Sequence, residues 1–291
     1  MNFKYLHTFV NVVEHQGFTE VSQAMGLTQS GVSRQIKALE EEIGLQLLSR
    51  TSSSVKPTLA GETVYRKAKQ LLAEWDLLLA ECHALKNEWT GQIKIGASTI
   101  PASYMLPDIV RRIREKHPKI EFAIRAEDSE DVLTMLLKRQ IDLAFVGHRI
   151  EHEELTGEYV AADMLVLIGR DGHKPLSSLK DVRDVPIIVR EKGSGTRRAV
   201  EEILNKSGFS LETLTVAAEV NSTEATLAMA EAGVGYAFVS HWSIRDAYRP
   251  GIRVFLEIPT DRGFYLYVHK SRHSHPLIGL FMEEALRRFK S

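Results

Sequence analysis

Residues 18–44 read FTEVSQAMGLTQSGVSRQIKALEEEIG. Thr19 is placed to cap a short helix through Met25, Gly26 breaks it, and Thr28 caps a second helix that continues to Gly44. Two helices joined by a tight Gly-containing turn make a helix-turn-helix, here from about Phe18 to Lys37. In the longer helix Val32, Ile36, Leu39 and Ile43 fall on one narrow arc, and Ser30, Ser33, Arg34 and Lys37 lie on the other. A helix seated in a DNA major groove needs this division. The apolar stripe anchors it, short hydroxyls and long cations reach phosphates and base edges, and an amide such as Gln29 at the helix start can pair bidentately with adenine.

The stretch before it supports the motif. Leu6, Phe9, Val10 and Val13 recur at helical spacing, so a helix from about Asn2 to His15 turns one apolar face inward. On the other side Arg50 and Lys56 bracket Thr51, Ser52, Ser53, Ser54 and Val55, a polar hairpin able to touch a phosphate backbone. Residues 1–60 carry Lys4, Arg34, Lys37, Arg50 and Lys56 against Glu14, Glu20, Glu40, Glu41 and Glu42, a net of 5 − 5 = 0. The usual basic footprint is therefore missing, and the DNA reading rests on where the cations sit. The candidate contacts are Thr28, Gln29, Ser30, Ser33, Arg34, Lys37, Arg50 and Lys56.

Thr58 can cap a long helix in which Val64, Ala68, Leu71, Trp75, Leu78, Cys82, Leu85 and Trp89 alternate spacings of four and three. From Leu59 to Trp89 it would be about 46 Å long, too long for so small a domain to cover, so it should pair with a second copy. Cys82 is read as a small buried residue of that seam rather than a redox sensor, because no Lys, Arg or second Cys stands beside it.

After Thr90-Gly91 strands and helices alternate. Strand Ile93–Ile95, helix Met105–His117, strand Ile120–Ala126, helix Asp131–Arg139 and strand Leu143–Val146 form one set. A second runs from strand Leu165–Ile168 through strand Ile187–Arg190, helix Arg197–Ser207, strand Leu214–Val220 and helix Glu224–Ala232 to strand Tyr236–Val239. Strand Phe264–His269 and helix Pro276–Phe289 close the chain. The pattern predicts an α/β protein with two similar lobes and a cleft between them. Ligands in open α/β sheets bind beyond the carboxyl ends of strands. Three such junctions carry hydroxyls or glycines: Ala97-Ser98-Thr99, Gly193-Ser194-Gly195-Thr196-Arg197 and Asn221-Ser222-Thr223. Bare N–H groups and helix N-termini there favour an anion, and Arg197 either adds charge or faces solvent.

The whole chain has 291 residues and a formal charge of 37 − 38 = −1, which argues against a general polycation for nucleic acid or membrane. A single cysteine excludes an internal disulfide, His7, Asn11 and Glu14 interrupt any signal-peptide core, and an apolar run such as Met164–Gly169 is far short of a membrane span. A cytoplasmic protein is expected. The Gly193-Ser194-Gly195 run is not a nucleophile elbow, no phosphate-binding P-loop occurs, and His148, His152, His269, His273 and His275 lack companion ligands at metal spacing. Neither an enzyme, nor a cofactor, nor a metal site is expected. A solute-binding protein without a DNA role is the alternative class, and it leaves residues 1–90 without a purpose.

Phe18-Thr19, Leu27-Thr28-Gln29-Ser30, Val32-Ser33-Arg34-Gln35-Ile36, Leu39-Glu40, Gly44, Leu47, Arg50 and Pro57-Thr58-Leu59-Ala60-Gly61 resemble the winged helix-turn-helix signature of LysR-type transcriptional regulators. The resemblance extends over the whole chain. Val21-Ser22, Gly31 and Leu48 depart from it at the places of an Ala-Ala pair, a Pro or Ala, and a Phe. It implies a DNA-binding domain at 1–58, a dimerising linker helix at 59–89, and an effector domain at 90–291 similar to type II periplasmic binding proteins. Lobe I would be about 90–162 with 267–291, and lobe II about 163–266, joined by paired crossover strands. Also implied are operator DNA, a dimer or tetramer, RNA polymerase, and a small-molecule co-inducer. Its candidate contacts are Ser98, Thr99, Gly147, Ser194, Thr196 and Ser222.

Overall fold

The computed structural model describes residues 2–50, 55–85, 89–245 and 249–289, the side chains of Arg50, His83 and Ala84 excepted. The chain divides after Lys86 into two compact units.

In the first unit, α1 (Phe3–His15) starts at Asn2, whose side chain accepts from the Lys4 N–H at 3.0 Å. Helix α2 (Phe18–Ala24) begins one residue before the expected cap, with Gly17 at the cap position and no side-chain bond there. Thr19 instead accepts a 2.7 Å hydrogen bond from the Gln29 amide, tying the two helices of the motif together. Helix α3 (Gln29–Ile43) does start at Thr28, whose hydroxyl accepts from the Gly31 N–H. Val32, Ile36 and Leu39 are buried against Leu6, Phe9, Val12 and Val21. Ile43, expected in that stripe, lies more than one third exposed because the helix end overhangs the core.

Strands β1 (Leu48–Arg50) and β2 (Val55–Pro57) pair antiparallel with Ser49 opposite Lys56, and the tip residues between them lie outside the described ones. Helix α4 (Leu59–Leu85) follows the cap Thr58, which accepts from the Gly61 N–H at 3.0 Å. A Cβ on Gly61 would stand 2.0 Å from the Leu47 carbonyl oxygen, so the helix can start against the wing only with glycine there. Along the expected heptad seam Val64 and Ala68 join the domain core, whereas Leu71, Trp75, Leu78 and Leu85 are exposed in the single chain. Cys82 is exposed as well, contrary to expectation, because a lone chain offers the far end of the seam nothing to pack on. Trp89 does not extend the seam: it stands outside α4, packs on the core of the second unit, and its ring lies 5.5 Å from that of His117.

The second unit is built on one eight-stranded sheet, in the order β4-β3-β5-β10-β6-β9-β7-β8. Strands β3 (Gly91–Ala97), β4 (Ile120–Ala126) and β5 (Leu143–Val146) are mutually parallel and carry α5 (Leu106–Lys116), α6 (Ser129–Leu137) and α9 (Pro276–Phe289). Strands β7 (Ile187–Arg190), β8 (Val216–Val220) and β9 (Tyr236–Ser240) repeat the arrangement with α7 (Gly195–Lys206) and α8 (Thr223–Ala232). The central runs LAFV and IIVR are buried throughout, as strands covered on both faces must be.

Strands β6 (Leu155–Arg170) and β10 (Ile252–His269) are far longer than expected and run antiparallel through both lobes. Each lobe is completed by one of them: β10 pairs with β5, and β6 with β9. This moves an expected boundary. Phe264 and Leu266, assigned above to lobe II, are buried in the lobe I core with Ile95, Phe145 and Phe281, because β10 has already changed lobes at Pro259–Gly263. Among the described residues no helix is long and apolar enough to cross a membrane.

His275, buried at the start of α9, is held far below its usual 6.5, at about 4, by burial and then by Arg272. His148 and His269 are lowered by burial too. Groups that stay neutral in the fold but take up a proton once unfolded make stability fall as pH drops. The stability of the chain should therefore be fully present above pH 6.5 and decline toward pH 4, and His275→Asn should flatten that decline in urea titrations at several pH values.

Candidate DNA-binding face and ligand cleft

On α3 the residues opposite the core stripe point to water. Thr28, Gln29, Ser30, Arg34 and Lys37 are exposed and Ser33 is half-buried, while Lys56 is exposed on β2. The side chain of Arg50 lies outside the described residues. Lys37 stands 3.7 Å from Glu41, a pair so exposed that it holds the ammonium weakly. Two hydrogen-bond systems fix the helix from behind. The buried Thr8 hydroxyl donates to the Gln35 amide oxygen at 2.6 Å, and the Glu40 carboxylate accepts from the Leu47 and Leu48 N–H groups at 2.8 and 3.2 Å. Glu40 is thus a structural brace between recognition helix and wing rather than part of a repelling acidic run.

In the second unit a cleft of about 770 Å³ opens between the lobes. Ser98 and Thr99 reach it from the end of β3, and Gly147 from the end of β5. Ser194 and Thr196 line it from the start of α7, both less than one tenth exposed. Five of the six expected contacts come together. Ser222 does not: its hydroxyl accepts from the Ala225 N–H to cap α8, and the neighbouring Asn221 lines the cleft in its place. Arg197 points elsewhere too, bound to Glu201, Glu219 and the Arg190 carbonyl.

The centre of the cleft is Arg262, on β10 where the strands cross between lobes. Its Nε donates to the Gly147 carbonyl at 3.3 Å on the lobe I side, and its Nη1 to the Thr196 hydroxyl at 3.4 Å on the lobe II side. A Cβ on Gly147 would come within 2.8 Å of the guanidinium. Its counter-ion is Asp163 of β6, 3.3 Å away and wholly buried, whose other oxygen accepts from the Ser240 hydroxyl at 2.5 Å. Burial disfavours both charges, raising the Asp163 carboxyl and lowering the Arg262 guanidinium, and each holds the other ionised against it.

Other cations also have partners. Arg190 donates through Nε and Nη2 to the Glu191 carboxylate, both at 2.8 Å, and through Nη1 to Thr223. Arg198 of α7 reaches across to Glu130 of α6 at 3.3 Å. The His148 imidazole, in the cleft wall, is lowered by burial and then by Arg198 and Arg262, so it is biased to the neutral form. Of the acids that line the cleft, Asp128 is engaged by two N–H groups of α6, Glu191 by Arg190, and Glu127, Glu202 and Asp261 are exposed. Arg262 is thus the cation set deepest in the cleft, its charge balanced by Asp163, and it stands against the start of α7 at Thr196.

Residues 3–62 match the lysR family of bacterial regulatory helix-turn-helix proteins, and residues 86–290 match the LysR substrate binding domain. The chain belongs to the LysR family of transcriptional regulators. An uncharacterized HTH-type transcriptional regulator from Methanocaldococcus jannaschii is 32% identical over 276 residues, 92% of each chain. The solved structure of full-length CbnR with its target DNA shares the fold at a TM-score of 0.62 and 20% identity, over 99% of both chains. The regulatory domain of CcmR from Synechocystis, solved with 2-PG, matches at 0.62 and 22% identity over 69% of this chain and 99% of that one. This LysR-family regulator is accordingly a DNA-binding transcriptional regulator with an effector domain, and a carrier without a DNA role is not favoured.

Sequence reading missed Arg262, Arg190, Arg198 and His148. Arg190 carried a signal, a charge closing the apolar run IIVR, but Arg262 sits in the polar stretch Thr260-Asp261-Arg262-Gly263 and only the strand crossing gives it meaning. Arg262→Met should leave the Asp163 carboxylate buried and unanswered, costing about 3–5 kcal/mol. Adding Asp163→Asn should restore a good part of that loss, as denaturant midpoints of the two single variants and the double variant will show.

Proposed function

We propose that this regulator binds operator DNA as a dimer through α3 and the wing, and that a small anionic metabolite between the lobes of the second unit sets its activity. The observation that carries the ligand reading is the buried Arg262 guanidinium, reaching Gly147 of one lobe and Thr196 of the other beside the N-terminus of α7. An anion there would accept from the Arg262 guanidinium, from the Ser98 and Thr99 hydroxyls of lobe I and from the α7 backbone of lobe II, and so favour the closed arrangement. It can shift that equilibrium only by its differential affinity for the open and closed states. The chain acts by binding rather than catalysis, in the cytoplasm, without a cofactor. Dimers would associate further into tetramers on paired half-sites and act on RNA polymerase.

The exposed seam Leu71, Trp75, Leu78 and Leu85 supports the dimer, since a regular apolar stripe in water is stabilised by a second helix. Thr28, Gln29, Ser30, Ser33, Arg34, Lys37 and Lys56, with Arg50, are the proposed DNA contacts. With so few cations per subunit, affinity should depend on several subunits together, and its salt slope per subunit should be shallow.

Arg34→Ala should weaken operator binding at least tenfold in gel shifts with an unchanged melting curve; undiminished binding would remove α3 from the interface. Thr196→Val with Ser98→Ala should keep operator affinity yet abolish the footprint change caused by the ligand, and an unaltered response would place the site elsewhere. Leu78→Glu should convert the dimer to monomers in sedimentation experiments.

A further inference from the structure

A second cavity of about 830 Å³ adjoins the cleft, and Arg149 and Tyr265 line both. Its remaining wall includes Gly157, Tyr159 and Tyr267 on the same face of the paired strands β6 and β10. Tyr265 stands opposite Tyr159, and Tyr267 opposite Gly157. The rings of Tyr159 and Tyr265 meet edge-on at 5.5 Å, and those of Tyr265 and Tyr267 are 6.2 Å apart.

The platform is built, and two glycines make it possible. A Cβ on Gly157 would lie 2.2 Å from the Tyr267 ring, and one on Gly263 would lie 2.6 Å from the Tyr159 ring, so both rings rest on bare backbone. The Tyr267 hydroxyl is pinned by a 2.6 Å hydrogen bond from the Ile150 N–H. Tyr159 nevertheless keeps 43% of its surface in water, an aromatic face that the fold positions and leaves uncovered. Around the rim stand Glu151, His152 and Glu153, and Arg149 is paired with Glu151 at 3.3 Å. A second anionic group would be repelled there, whereas a neutral or basic ring would stack.

Resting on the anion reading of the cleft, we propose that the effector is an anion carrying a flat ring, its charged end at Arg262 and Thr196 and its ring on Tyr265 and Tyr159. Aromatic rings pair edge-to-face or offset at centroid separations of about 4.5–7 Å, the range the tyrosines already show among themselves. Each space alone matches the size of a drug-sized ligand, larger than a simple oxyanion fills.

Calorimetric titration of the full chain tests this with inorganic phosphate and acetate set against their phenyl and 3-phenylpropyl derivatives. At least one ring-bearing anion should bind tenfold or more tighter than its ringless partner. Tyr159→Leu should remove that gain and leave the ringless affinity unchanged, and Tyr159→Phe should keep it. Equal affinity within every pair, or a gain that survives Tyr159→Leu, overturns the proposal while the anion site stands. If no anion of either kind binds, or binding is indifferent to Arg262→Gln, the cleft reading itself fails and this proposal with it.

Discussion

The buried pair of Asp163 and Arg262 sits where β6 and β10 pass from one lobe to the other, and the effector unit is organised around it. Neither charge is stable in that place alone, because burial penalises both. Asp163 is held by Ser240 of β9 in lobe II, and Arg262 touches Gly147 in lobe I and Thr196 in lobe II. One ion pair thereby ties the crossover strands to the walls of the cleft. Any movement of the lobes changes the surroundings of that guanidinium, and in the proposed ligand reading this is what would couple occupancy to lobe angle.

The first unit solves a different problem, holding a polar helix face in water without letting it shift. Thr8, Gln35 and Glu40 make their bonds on the inner side of α3, and Gly61 lets α4 start against the Leu47 carbonyl. Arg34 and Lys37 are left exposed on the outer side, so the proposed contact with phosphates would displace water and an exposed glutamate rather than an internal bond. Gln29 differs, since its amide already donates to Thr19 and base contact would require that bond to be exchanged or shared.

How far the sequence could be read follows from the range of the forces involved. Periodicity and capping are local, and they located α3, β5, β7 and α9, with Thr28 and Thr58 as caps, to within a residue or two. Where a hydroxyl had two outlets, local reasoning chose wrongly: Thr19, read as a cap, accepts from Gln29, and Ser222, read as a ligand contact, caps α8, because the neighbours in space decided between them. The linker seam was legible as a stripe, but whether Ala68 faces its own domain and Cys82 faces water depends on where the core of the first unit ends.

Local pattern along the chain specified a winged helix-turn-helix, a long amphipathic helix and a doubled α/β arrangement whose strand ends carry Ser98, Gly147, Ser194 and Thr196. These follow from spacing along the chain, which needs no knowledge of distant contacts. Only the tertiary structure decided that β6 and β10 run unbroken through both lobes, that Phe264 and Leu266 belong to the first lobe, and that Arg262 is the charge at the cleft's centre. The physical reason is that a guanidinium's role is fixed by what surrounds it, and the residues around Arg262 come from β6, the end of β5 and the start of α7, brought together only when the sheet forms.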